Sequence, residues 1–211
     1  QGHMPFDAGS LTEDYELGLK IGQLGGGSIL ARLLDGEGQL VGTRACFPDT
    51  LEASVKQKAR WITGISLTGW DRVGWRTNLF ENWMILRDRR AIFAAVILTV
   101  AYICIVLTAL LVVLELSGYL VLRPQSELVN WLLMLNAGLL AWRLSIRAVF
   151  VGKQHGLVDG LCSIPRTIIA NIISVLAARR ALFQYIHYCF GGPLRWEKTA
   201  HRHFPETGKH G

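Results

Sequence analysis

Two short stretches of the chain gather residue types that can do chemistry. The first is Thr12-Glu13-Asp14, two adjacent carboxylates behind a hydroxyl residue. The second is Gln57-x-x-Arg60-Trp61, set in a basic run with Lys56 and Lys58. A positioned carboxylate can take a proton as a general base. A guanidinium presents a fork of N–H donors to an anion, an amide adds a neutral donor, and an indole offers a flat apolar face. Gln57, Arg60 and Trp61 stand at i, i+3 and i+4, so a helix puts them on one face. Each stretch also has an ordinary structural reading. Thr12 can be a helix N-cap with acids in the first turn, where the helix dipole favours negative charge. The second stretch can be an amphipathic helix with solvated cations and an interfacial Trp.

The elements that must hold these residues can be read from periodicity. Leu17, Ile21 and Leu24 suggest a short helix after Asp14, stopped by the glycines at 25–27. "SILARLL" and "QLVGTRACF" read as two strands around a turn at "DGEG". Leu51, Val55, Ala59 and Ile62 step along one helix face, with Lys56 and Lys58 opposite, the pattern of a helix lying on a membrane surface.

Beyond residue 90 the chain turns apolar. Residues 91–114 carry no charge, and at 1.5 Å per residue a helix of about 24 residues reaches about 36 Å, enough to cross a bilayer. Arg87 to Arg90 precede it, which places the preceding segment on the cytoplasmic side. A second span is expected from Leu128 to about Val151, bringing Arg143 and Arg147 back towards cytoplasmic headgroups. Residues 164–178 hold a clean apolar stretch of only about 12 residues between Arg166 and Arg179. That reads as an interfacial helix, with a third span as the alternative.

Composition agrees with a membrane protein. Hydrophobic residues make up 51% and charged ones 18%, below the roughly one quarter of a soluble domain. The net charge of +6 resides in Arg and Lys flanking apolar runs, which favours an anionic membrane over nucleic acid. Cys46, Cys104, Cys162 and Cys189 show no C-x-x-C spacing and are expected to be small buried hydrophobes. His201 and His203 alone do not define a metal site. The N-terminal "QGHMPFDAGS" has no apolar core of a signal peptide; "GHM" reads equally as a tag-cleavage scar or as a start in the middle of a larger protein.

Taken together, "TED" at 12–14, "QKARW" at 57–61 and Pro48 nine residues before Gln57 resemble the processive membrane glycosyltransferases of family 2, the cellulose and hyaluronan synthase type. "TRACFPDTLEASVKQKARWITGI", the "GW" at 69–70, "RDRR" and the "RWEKTAHRHF" tail are similar to a narrower inner-membrane branch associated with bacteriophage adsorption. The likeness runs from about residue 9 to residue 205.

The resemblance implies roles. Asp14 would be the base that deprotonates the acceptor hydroxyl, with Glu13 shaping the site. Arg60 and Gln57 would meet the leaving diphosphate, and Trp61 would stack against the acceptor sugar. A nucleotide-sugar, a polysaccharide acceptor, membrane lipid and an outer-membrane secretion component would be the partners, and no nucleic acid. A divalent cation, Mg or Mn, would be bound through aspartates upstream, since this chain has no D-x-D motif.

The expected architecture is therefore a mainly α membrane protein. Residues 1–90 form the C-terminal remnant of a GT-A-type α/β glycosyltransferase domain with an interfacial helix. Residues 91–190 hold two transmembrane helices, or three, and an interfacial helix, and residues 191–211 are a cytosolic tail. The site would face the cytosol at a bacterial inner membrane, and the chain alone would not turn over. The competing readings are a non-catalytic scaffold or receptor component of an exopolysaccharide secretion system, and a small basic transporter subunit in which both motifs are coincidence.

Overall fold

A computed structural model describes residues 10–29, 31–38, 41, 48–75, 78–121 and 124–193. Its described elements are helical: α1 (Glu13–Gln23), α2 (Leu51–Ile62), a π-helical segment (Thr63–Leu67), α3 (Thr68–Val73), α4 (Leu79–Arg89), α5 (Ala91–Leu116), α6 (Glu127–His155) and α7 (Leu157–Cys189). The chain divides into two compact units. The first holds residues 1–95 and 173–211, the second residues 96–172.

Local chemistry accounts for the helix ends. Helix α1 carries Glu13, Asp14 and Glu16 in its first turn and Lys20 in its last, matching the helix dipole. It stops where Gly25 takes φ +79 and the Gly26 N–H reaches the Ile21 carbonyl at 2.9 Å. Thr50 caps α2 by accepting from the Ala53 N–H, and Asn78 caps α4 by accepting from the Phe80 N–H.

The predicted hairpin does not form strands among the described residues. The turn exists, with the Gly38 N–H on the Asp35 carbonyl, and the Val41 N–H donates to the Leu33 carbonyl at 2.9 Å. Leu33 and Leu34 are exposed, so this stretch has no apolar face to bury, and a two-stranded ribbon is marginal without one. Most of the second arm lies outside the described residues.

In the first unit, Ala59 and Ile62 of α2 pack with Ala95, Ala177, Ala178 and Ala181 into a small buried core. Alanine at the contact allows close helix approach. The apolar face of α2 therefore rests on protein, where the sequence pattern predicts a membrane surface. Lys58, on the expected solvent side, is half-buried and donates to the Ser174 hydroxyl at 2.6 Å.

Among the described residues, three helices are long and apolar enough to cross a membrane: α5, α6 and α7, with mean hydropathies of 3.0, 1.3 and 1.7 in their most apolar windows. The first two match the expected spans. The third corrects the short interfacial helix. Its 33 residues run through both arginine boundaries, with Pro165 inside and Arg166 held by Asp159 at 3.1 Å within the same helix. Cys104, Cys162 and Cys189 are exposed on α5 and α7, not buried as expected. Long apolar helices leave such residues on uncovered faces. In the second unit, Gly160 of α7 approaches the Ala148 carbonyl and Gly152 of α6 so closely that a Cβ there would lie 2.7 Å and 2.9 Å from them.

Candidate active site

Thr12 opens α1 through its backbone, its carbonyl accepting from the Glu16 N–H at 3.1 Å. Its side chain does not cap the helix, which corrects the N-cap reading. The residue is 4% exposed, and its Oγ1 has no hydrogen-bond partner among the described residues. It turns inward against Gly64, where an added Cβ would meet Thr12 Oγ1 at 2.5 Å and Cγ2 at 2.7 Å.

The T-E-D turn is fixed from behind. The Ser10 hydroxyl donates to Glu16 Oε1 at 2.8 Å and accepts from the Thr12 N–H at 3.2 Å. Arg72 of α3 stands 3.6 Å from the same Glu16 oxygen, and Glu16 is buried. A buried carboxylate is tolerated because it is paired and hydrogen-bonded. The carboxylates that remain are presented outward: Asp14 is exposed and Glu13 half-exposed.

The second motif lies in the last two turns of α2. Gln57 and Arg60 are half-buried and Trp61 is 40% exposed, so the shared face is accessible. At the start of α2, Lys56 reaches Glu52 at 2.7 Å and holds that carboxyl below its ordinary range, by hydrogen bond first and charge second. Burial pushes the Lys58 ammonium below its ordinary range.

After Trp61 the helix widens into π geometry, which leaves carbonyls needing other donors. Thr68 supplies one hydroxyl to the Thr63 carbonyl at 3.1 Å and the Gly64 carbonyl at 3.4 Å. Thr63 Oγ1 donates back to the Ala59 carbonyl at 2.9 Å, and Trp70 Nε1 to the Ser66 carbonyl at 2.8 Å. The segment is thus held by its own side chains. π segments recur at functional sites, where an extra residue in a turn re-aims a side chain.

Arg89 supports this corner from α4. It is 2% exposed, donates through Nη2 to the Gly69 carbonyl at 2.8 Å and the Gly74 carbonyl at 3.3 Å, and lies over the rings of Trp70 and Trp75. Sequence reasoning reads "RDRR" as one basic run marking the cytoplasmic side of the first span. Arg87 and Arg90 are exposed, but Arg89 is structural. Gly64, Glu16, Arg72 and Arg89 are the residues that pattern reading missed. The signal available was the Gly64/Gly69 pair around the hydroxyl residues Ser66 and Thr68.

No cluster of three or more His, Cys, Asp or Glu residues suited to a metal exists among the described residues. They do not provide the divalent-cation site that the resemblance implies for the longer protein. His201 and His203 lie outside the described residues.

Comparison with known proteins bears on this arrangement. The profile of the family described as glycosyl transferase family group 2 matches residues 2–146. Bacteriophage adsorption protein B of Escherichia coli (strain K12) is 31% identical over 226 aligned residues, covering 96% of this chain. Bacteriophage N4 adsorption protein B of Escherichia coli O157:H7 aligns with the same identity and coverage. The chain spans 30% of the length of these relatives. No solved structure matches.

Proposed function

The chain belongs to glycosyl transferase family group 2, and from that premise we propose that its first unit forms the acceptor side of an inverting sugar transfer from a nucleotide-sugar to a growing polysaccharide. Asp14 takes the proton of the acceptor hydroxyl as its oxygen bonds to the anomeric carbon. The bond from that carbon to the diphosphate breaks, and Arg60, helped by Gln57, donates hydrogen bonds to the departing oxygens. Trp61 stacks on the acceptor ring and Glu13 shapes the entrance. A divalent cation would belong to the donor side, with ligands outside this chain. The unit works at the cytosolic face of a bacterial inner membrane, where the spans that follow can receive a product too polar to enter lipid.

One observation carries this reading: Thr12 rests on Gly64, which sets the residue two before Asp14 against the residue three after Trp61. The exposure of Asp14 and Trp61 on that corner leaves them free to meet a ligand.

The test is a chimera in which this chain replaces the segment of the Escherichia coli K12 relative with which it aligns. Membranes are assayed for labelled sugar passing from nucleotide-sugars into polymer. Transfer in the chimera, and a fall of about 100-fold or more in Asp14→Asn with insertion unchanged, is the expected result. The chain by itself is expected to transfer nothing. Full transfer by Asp14→Asn would put the base elsewhere. A chimera that supports phage adsorption without any transfer favours the non-catalytic receptor role that the relatives' names suggest.

A further inference from the structure

The structure assigns Gly64 a role beyond the motifs on either side of it: it is a positioning residue, the bare seat that sets the register between the T-E-D turn and the Gln57–Arg60–Trp61 face. The seat itself is a matter of packing; what it positions rests on the transferase reading above.

A side chain at position 64 has no room. Its Cβ would stand 2.5 Å from Thr12 Oγ1, 2.7 Å from Cγ2 and 3.1 Å from Cβ. Such close approaches are relieved cheaply only if one partner can move away. Thr12 is 4% exposed, so rotating its side chain drives Oγ1 or Cγ2 into other neighbours. Its backbone is tied by the Ser10–Glu16 pair, and Glu16 in turn by Arg72. On the other side, the Gly64 carbonyl accepts from Thr68, and Gly69 is close enough that its own Cβ would lie 2.9 Å from that oxygen. Both partners are held. A methyl group at 64 must therefore push α1 and the end of α2 apart rather than be absorbed locally.

The functional cost follows from geometry. Asp14 is two residues from the contact on one side and Trp61 three residues on the other. A shift of about 1 Å between a base and the groups opposite it costs on the order of 100-fold in rate.

The decisive experiment separates the seat from the chemistry. Spin labels are placed at Gln23→Cys on α1 and Glu52→Cys on α2, both exposed, in the full chain with its four native cysteines replaced by serine. Gly64→Ala is expected to lengthen or broaden the distance between the labels. Thr12→Ala, which removes the two atoms nearer than 3 Å, is expected to restore it in the double variant. An unchanged distance in Gly64→Ala overturns the assignment, and so does a change that Thr12→Ala fails to reverse. Should Gly64→Ala not fold, recovery of folded chain in the double variant supports the seat, and failure of the double overturns it. In the chimera, Gly64→Ala should lower kcat on the order of 100-fold with the KM for nucleotide-sugar unchanged, and Thr12→Ala should restore part of the loss. A chimera without transfer would sink the transferase reading and leave the distance result standing.

Discussion

Thr12 and Gly64 are in van der Waals contact across the first unit, one the opening residue of a helix and the other the second residue of a π segment. A hydroxyl residue that should cap its own helix instead packs into another. What it gives up in local hydrogen bonding it returns as a fixed relation between two motifs far apart in the chain. Four further expectations follow, one from this corner and three from other contacts.

Arg89 holds that corner together. Its guanidinium donates to the Gly69 and Gly74 carbonyls and lies 4.6 Å from the Trp70 ring centroid and 5.6 Å from that of Trp75. Arg89→Ala should destabilise the chain by about 3 kcal/mol, because the charge-assisted hydrogen bonds and the cation–π stacking disappear together. Arg89→Lys should recover little, because one ammonium cannot reproduce the planar fork. Denaturant titration in micelles, followed by tryptophan fluorescence, reads this directly. An exposed control, Arg87→Ala, should change almost nothing.

The alanine seam between α2 and α7 has no slack. Ala181 and Ala177 are 0% exposed. Ala181→Leu should cost about 1–3 kcal/mol by overpacking. Thermal melting of this variant against Leu182→Ala, whose side chain is exposed, distinguishes a protein-covered face from one that faces solvent or lipid. Equal effects at the two positions would argue that α2 does not pack there.

Gly160 and Gly138 make a matched pair for the second unit. A Cβ at Gly160 meets the Ala148 carbonyl at 2.7 Å, while one at Gly138 meets nothing within 4 Å. Gly160→Ala should therefore lower the melting temperature in micelles, by a destabilisation of about 1–3 kcal/mol. Gly138→Ala should raise it slightly, since alanine is the better helix former by about 1 kcal/mol. A neutral Gly160→Ala would show that the α6–α7 turn opens freely.

Lys58 makes stability depend on alkaline pH. Burial against α7 lowers its pKa from the ordinary 10.5, so the unfolded chain binds more protons than the folded one between the two values. Stability should rise with pH through that window and level off above 10.5. Lys58→Met should remove this component and flatten the profile. Unfolding midpoints measured at steps of pH on the alkaline side, for both chains, check the sign. A profile in the variant as steep as in the parent would assign the slope to another group.

How much of this was readable in advance depends on what each feature needs. Helices α1, α2, α5 and α6 were legible because each declares itself within a window of its own residues, by apolar spacing, a glycine stop or an uncharged run. The two motifs were legible by residue type and spacing, and the family follows from them. Helix α7 is not legible from charge alone, because single arginines do not end it. Arg166 is neutralised by Asp159 of the same helix, which a count of charges does not see.

The sequence by itself determined that the chain is a helical membrane protein, and it nominated Glu13, Asp14, Gln57, Arg60 and Trp61 as the residues on which the proposed transfer rests. Tertiary structure decided which way Thr12 turns, that Arg89 is a buried strut among its exposed arginine neighbours, and that α2 lies on alanines instead of lipid. The physical reason is the same in each case. Periodicity tells which face of an element is apolar, but what covers that face, and whether a small residue there is a gap or a seat, depends on a partner remote in the chain.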